Sequence, residues 1–159
     1  MIRIWLQAGA AMLCSAAIAV QAAGLVEVTF VEPRTYTDAG RTDAERQRTQ
    51  DLIGAHLRGL GTQLPDGQVL RVEVLDIDLA GELRTGVAHD RRILVGGTDA
   101  PRMHLRYTLQ AAGRPLMTGE DRLADLNYLR STPRPPVGEL AHDRLLLERW
   151  FETRFAAPR

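Results

Sequence analysis

Residues 101–114 read PRMHLRYTLQAAGR, and their alternation indicates the class of fold. From Met103 to Ala111 every second residue is apolar, whereas the residues between them are polar or charged. A period of two is typical of a β-strand that buries one face and exposes the other. Ala112-Gly113-Arg114 then predicts a tight turn into an antiparallel partner strand that runs from about Leu116 to Leu126.

Helical patterns lie on both sides of this hairpin in the sequence. Thr42 followed by Glu45 is the signature of a capping box, and apolar residues recur at helical spacing after it. We expect a helix of about 18 residues that ends in a left-handed cap at Gly61. A second helix is expected from Glu139 to Phe155. Its apolar stripe consists of Leu140, Leu147, Phe151 and Phe155, with Leu146 and Trp150 beside it.

A long strand is expected from Val69 to Leu79, and its apolar pattern changes side after Val74. Two interpretations fit this change: a β-bulge that restores the register, or a central strand covered on both faces. We favour the bulge, because Asp76 and Asp78 would otherwise occupy the buried face.

Together these elements predict an α+β fold with the element order β-α-β-β-β-β-α. Two further strands complete the order, from Leu25 to Val31 and from Arg91 to Val95, while Gly81–His89 is expected to be a loop. Strands clustered between helices favour a single, mostly antiparallel sheet with both helices packed on one face. The first two long strands, which are joined through a helix, are expected to pair in parallel.

Residues 1–22 have the layout of a cleaved secretory signal peptide. Arg3 precedes an apolar run from Ala8 to Val20, and Val20-Gln21-Ala22 offers small residues at the cleavage site. The run is shorter than the roughly 20 apolar residues of a membrane-spanning helix. Since Leu13, rather than a small residue, precedes Cys14, we expect no lipoprotein anchor. The mature chain is then a single α+β domain, residues 23–159, without cysteine and without a transmembrane anchor.

Composition restricts the chemistry available to this domain. All 20 basic residues are arginines, and 20 acidic residues balance them, so we infer no basic patch and no nucleic-acid partner. A chain without lysine has no Schiff-base or phosphate-loop lysine. Ser131 is the one serine of the expected mature chain, which leaves little for nucleophilic catalysis.

The acidic segment from Asp76 to Glu82 is the strongest candidate site. Asp76 and Asp78 lie on the same side of a strand, and Glu82 follows in the predicted loop. Such oxygen ligands suit a divalent cation such as calcium or magnesium, and paired carboxylates also serve hydrolysis. The alternative, which we favour, is that these acids pair with arginines and that the protein holds no cofactor.

Three other patterns have a structural and a functional interpretation. His89-Asp90 has the residue types of an oriented general base, but its place in a predicted loop favours a solvated pair. Gly96–Asp99 lacks the following helix that a phosphate loop needs and is expected to be a turn. Trp150-Phe151 and Phe155 fit either a partner-binding surface or the core, and we favour the core.

Several segments resemble those of a known family, the bacterial secreted proteins grouped as domain of unknown function 3016 (DUF3016). The segments are Val26–Pro33 with Tyr36–Asp38, Leu70–Glu82, Pro101–Leu109, Leu126–Tyr128 and Glu148–Phe151. The resemblance covers essentially the whole expected mature chain. It implies export in Gram-negative bacteria and therefore a periplasmic location, and it supplies no activity and no catalytic residue.

Two hypotheses of function follow. The first is a non-enzymatic periplasmic module that binds or assists another envelope protein. The alternative is a metal-binding protein or metal-dependent hydrolase that uses Asp76, Asp78 and Glu82.

Export predicts that the mature protein begins at Ala23. The intact mass of protein from a periplasmic extract should correspond to residues 23–159, because the signal peptide is removed during translocation. An Ala22→Arg variant should retain Met1, since the residue before the cleaved bond must be small, whereas Gln21→Arg should be processed normally. Folded, full-length wild-type protein in the cytosol would contradict export.

Overall fold

The structure is a computed structural model that describes residues 23–84, 91–131 and 136–155. The predicted signal peptide and the pair His89-Asp90 lie outside the described residues. The described elements are, in chain order, β1 (Leu25–Phe30), α1 (Asp43–Leu60), β2 (Gln68–Asp78), β3 (Glu82–Arg84), β4 (Arg91–Ile93), β5 (Arg102–Ala111), β6 (Arg114–Ala124) and α2 (Ala141–Arg154).

The main sheet has four strands in the order β1-β2-β5-β6. β1 and β2 pair in parallel, as expected, and the other two pairs are antiparallel, so the sheet is mixed. The α+β class is confirmed, but the expectation of a single sheet is wrong. β3 and β4 form a second, two-stranded antiparallel sheet, and β3 occupies part of the predicted loop Gly81–His89. Strands of three residues are too short to show an alternation in the sequence.

One face of the main sheet carries the hydrophobic core. The alternate residues of β2 and β5 that point to this face are buried, and side chains of both helices join the same cluster. Both helices therefore cover this side of the sheet. The opposite face carries exposed cross-strand ion pairs, among them Arg71–Glu27 at 2.7 Å and Arg106–Glu73 at 3.0 Å.

A β-bulge at Leu75 explains the change of side in β2. Val74 pairs with Leu105 and Asp76 pairs with His104, which leaves Leu75 as the extra residue. Beyond it, Ile77 is fully buried in the core. The bulge interpretation is confirmed, because Asp76 and Asp78 lie on the opposite side from Ile77 and stay partly exposed.

α1 begins with the predicted capping box. Thr42 Oγ1 accepts a hydrogen bond from the Glu45 amide at 3.1 Å, and the Glu45 carboxylate accepts one from the Thr42 amide at 2.9 Å. The helix ends at Gly61, but the expected left-handed cap is wrong, because Gly61 has a φ of −55°. Glycine serves close packing here instead, since a Cβ would lie 3.0 Å from the carbonyl oxygen of Gly24.

The aromatic residues of α2 belong to the core, as favoured from the sequence. Trp150 and Phe155 pack edge-on against Tyr107 of β5, with ring centroids 5.8 and 5.2 Å from it. Tyr107 in turn lies against Gly119 of β6, where a Cβ would come within 2.5 Å of the tyrosine oxygen.

A methyl group at Gly119 should therefore destabilise the protein. We expect Gly119→Ala to lower the free energy of unfolding by about 1–3 kcal/mol, because Tyr107 is buried and has no room to withdraw. Gly59→Ala is the control, since the new methyl on α1 meets nothing within 4 Å and should stabilise by about 0.5–1 kcal/mol. Urea denaturation measures both, and a Gly119→Ala variant as stable as the wild type would contradict this packing.

Candidate functional site

The predicted metal residues lie where the parallel strands β1 and β2 end. Both Asp76 carboxylate oxygens accept hydrogen bonds from Thr37, from its amide at 2.7 Å and from its hydroxyl at 2.8 Å. Asp78 accepts from Arg102 at 3.0 Å. Glu82 accepts from Arg84 at 3.1 Å. Each carboxylate thus has its own donor on the protein.

These contacts bear on the two interpretations of the acidic segment. Pairing with arginine describes Asp78 and Glu82, whereas Asp76 is held by Thr37. Within the described ranges, no three or more histidine, aspartate or glutamate side chains are grouped so that they could hold a metal ion. Binding of a divalent cation by Asp76, Asp78 and Glu82 stays a prediction.

Arg92 of β4 connects the small β3–β4 sheet to the segments that follow β1 and β2. Its guanidinium lies 2.9 Å from the Asp38 carboxylate. It also donates to the carbonyl oxygens of Gly81 at 2.6 Å and Leu79 at 3.3 Å. No sequence pattern predicts this contact, because Asp38 and Arg92 are far apart in the chain and meet only in the folded molecule.

Asp143, in the first turn of α2, is the most deeply buried carboxyl group at this end of the sheet. It is 2% exposed, and its Oδ1 accepts a hydrogen bond from the Ala80 amide at 3.0 Å. Burial raises the pKa of Asp143 from 3.8 to about 6, against the lowering effect of that hydrogen bond and of Arg92. With Arg92 and His142 it lines a cavity of about 200 Å³. The sequence does not mark Asp143 as a buried residue. Its one distinguishing feature there is that it is an acid near the start of a predicted helix.

A second buried carboxylate holds the loop that follows β4. Asp99 accepts hydrogen bonds from the amides of Val95 at 2.6 Å and Gly96 at 2.7 Å, and from the Tyr128 hydroxyl at 3.0 Å. Burial alone would raise the pKa of Asp99, but these hydrogen bonds together lower it. Gly96–Asp99 is accordingly a turn, as predicted, and Tyr128 connects it to the segment after β6.

A groove runs between the outer edge of β6 and α2. No pattern in the sequence predicts it. Its volume is about 510 Å³. Five consecutive residues, 121–125, line one wall, and Leu146, Arg149, Trp150, Thr153 and Arg154 line the other. Because consecutive residues of a strand face it, the backbone edge of β6 as well as its side chains borders the groove. β6 is the last strand of the sheet, so this edge has no neighbouring strand among the described residues.

The charged groups of the groove are held in place by one another. Asp121 accepts from the Trp150 indole at 2.9 Å and from Arg154 at 2.7 Å. Asp125 accepts from Arg149 at 2.8 Å and from the Ser131 hydroxyl at 2.7 Å. Arg122 is exposed and forms no ion pair with any described residue. The groove therefore combines an open strand edge with fixed arginine and carboxylate groups.

A family model described as protein of unknown function (DUF3016) matches residues 24–153. The chain belongs to this family. Neither a curated protein nor a solved structure matches this DUF3016 chain. Of the helices in the described residues, neither is long and apolar enough to cross a membrane.

The segments that carry the DUF3016 resemblance meet in the folded chain. Tyr36–Asp38 contacts the end of β2 through a hydrogen bond from the Tyr36 hydroxyl to the Val74 carbonyl, at 2.7 Å, as well as through Thr37. Tyr128 reaches Asp99, and Trp150 reaches the groove. Of these contacts, the one from Trp150 to Asp121 joins α2 to β6.

Asp143 should make the stability of the DUF3016 domain depend on pH. Its folded pKa lies above its unfolded value, so its contribution is most favourable below about pH 4 and is lost as the pH rises through about 6. Asp143→Asn keeps an acceptor for the Ala80 amide without the buried charge. We expect this variant to match the wild type near pH 4 and to exceed its free energy of unfolding by up to about 3 kcal/mol above pH 7.

Urea denaturation at pH 4, 5.5 and 7.5 measures this difference. Asp66→Asn, in an exposed turn, should show no such trend. Asp143→Ala should destabilise at every pH, because the Ala80 amide would lose its partner. A constant difference between Asp143→Asn and the wild type across this range would contradict the assignment.

Proposed function

We propose that this DUF3016 protein is exported to the periplasm and acts there as a non-enzymatic binding module. Its partner is an envelope protein that lays an extended segment along the outer edge of β6. The observation that carries the proposal is the groove beside that edge, lined by five consecutive residues. Strand addition to an open sheet edge is a common mode of peptide recognition, in which main-chain hydrogen bonds supply affinity and neighbouring pockets supply specificity.

Backbone features that oppose strand pairing occur at only one end of β6, whereas the other end carries the charged residues Glu120, Asp121 and Arg122. Pro115 and a register irregularity opposite Leu109 and Gln110 lie near the hairpin turn, and both discourage pairing there. From Thr118 to Ala124 the strand contains no proline, and most of its residues are exposed. The outer edge of this stretch has no strand partner among the described residues.

The charges of the groove favour a segment that carries acidic side chains. Three arginines, Arg122, Arg149 and Arg154, border it together with two carboxylates. Asp121 already accepts two hydrogen bonds and Asp125 three, whereas a guanidinium has five donors and each paired arginine uses only part of them. The donors that remain are therefore cationic and suit a carboxylate.

The contacts of the acidic segment favour a structural role for these residues. Asp76, Asp78 and Glu82 each accept from a donor of the protein itself. Use of these three residues as metal ligands would require Thr37, Arg102 and Arg84 to release them. We therefore place the function at the groove and assign the acidic segment to holding the fold together.

Site-specific photo-crosslinking in the native host tests this function. A benzophenone amino acid at Ala124, in the groove, should give an adduct with another envelope protein, whereas the same group at exposed Ala55 on α1 should give none. Arg122→Glu should reduce the Ala124 adduct about tenfold, which corresponds to about 1.4 kcal/mol of binding free energy. Arg114→Glu, an equally unpaired arginine at the hairpin end of β6, should leave the adduct unchanged.

Three outcomes would overturn the proposal. The first is the absence of an adduct from Ala124, and the second is an adduct of equal yield when Arg122 is reversed in charge. The third is an adduct with a second copy of this chain, which would reassign the edge to self-association.

A further inference from the structure

A second cleft lies beyond the groove, and we infer that it receives a large apolar side chain from the same partner segment. We call it the apolar cleft after the side chains of Val95, Leu126 and Leu129 in its walls; the rest of its lining is Gly96, Gly97, Asn127 and Arg130. The inference rests on the proposed function, because it identifies the chemistry of the segment that β6 would bind.

The apolar cleft continues the groove without a gap in the chain. The groove is lined as far as Asp125, and the lining of the cleft begins at Leu126. Asp125 and Leu126 are neighbours in the chain, so the groove and the cleft open beside consecutive residues at the end of β6. One extended polypeptide can therefore occupy both places.

Buried hydrogen bonds hold the walls of the cleft in an exposed position. Val95 and Leu126 are each 59% exposed, and Leu129 is 45% exposed. Asp99 fixes the backbone of Val95 and Gly96, and the Tyr128 hydroxyl ties the second wall to the same carboxylate. These hydrogen bonds join the two walls through Asp99. Convergent exposed apolar groups of this kind mark interaction sites.

The cleft has the size and the charge for a particular kind of side chain. Its volume is about 280 Å³. A closed cavity of about 150 Å³ accommodates benzene, so leucine or phenylalanine fits. A Cβ at Gly96 would lie 3.2 Å from Leu129 and would narrow the space. Arg130 is the one charged residue that lines the cleft among the described residues, and it is exposed. The expected segment thus carries a leucine or phenylalanine next to an acidic residue.

The crosslink from Ala124 provides the readout. Leu126→Asp should reduce the yield of the Ala124 adduct about tenfold, because it places a charge in the apolar cleft and repels the acidic neighbour. The matched control is Leu116→Asp on the hairpin end of β6, where the leucine is 57% exposed against 59% for Leu126. It should leave the yield unchanged. Both variants should keep the melting temperature of the wild type, since both leucines are largely exposed.

A direct probe tests the cleft independently of the partner. The blocked dipeptide N-acetyl-leucyl-aspartate amide, titrated into ¹⁵N-labelled residues 23–159, should shift the amide resonances of Val95–Gly97 and Leu126–Arg130. The shifts should disappear in Leu126→Asp, and Arg130→Glu should weaken the apparent affinity for this probe about fivefold.

The two proposals fail in different ways. An Ala124 adduct that is insensitive to Leu126→Asp would overturn the apolar cleft as an anchor and leave β6 as the binding edge. Absence of the adduct would overturn the proposed function itself. Absence of dipeptide-induced shifts around Leu126 would likewise count against the cleft, whatever the crosslink gives.

Discussion

Successive side chains of a strand point to opposite faces of the sheet. The extra residue Leu75 shifts this alternation by one position in the central strand β2. Val74 lies in the core before the bulge, and Ile77 returns to the core after it. In a regular strand, Asp76 would take the place of Ile77 and lose its contact with water, at a large cost in free energy. The bulge therefore keeps one face apolar and delivers the acidic segment to the other side.

Because only one face of the sheet is apolar, both helices must pack on that face. The consequence is an asymmetric molecule. At the ends of β1 and β2, Arg92 and Asp143 use their polar groups for internal contacts to Asp38 and to backbone carbonyl and amide groups. At the opposite edge, α2 reaches β6 through Trp150 and Arg154 but leaves the strand edge open. The fold thus separates an end whose charged groups are paired internally from an edge whose strand has no neighbour among the described residues.

The sequence predicted those features that produce a pattern among neighbouring residues. The capping box of α1, the alternation of β5 and the parity change at Leu75 are local, and the structure has all three. β4 lies within the predicted strand Arg91–Val95, but β3 escaped because its three residues show no period. Asp143 and the groove escaped because burial and a sheet edge arise only when distant segments meet. Gly61 shows a subtler limit: its position was predicted, but close packing against Gly24, rather than a left-handed φ, accounts for it.

The mixture of one parallel and two antiparallel pairings sets an order of folding that differs from the order of synthesis. β5 and β6 are joined by a turn of two residues, whereas β1 and β2 are separated by the whole of α1. Closing a short loop costs less conformational entropy, so we expect the β5–β6 hairpin to form early and to offer β2 a template. We expect β1, the first strand of the chain, to pair with β2 afterwards. Until then the apolar residues of β1 lack a partner. We therefore expect β1 to be the segment of the unfolded chain to which a chaperone binds.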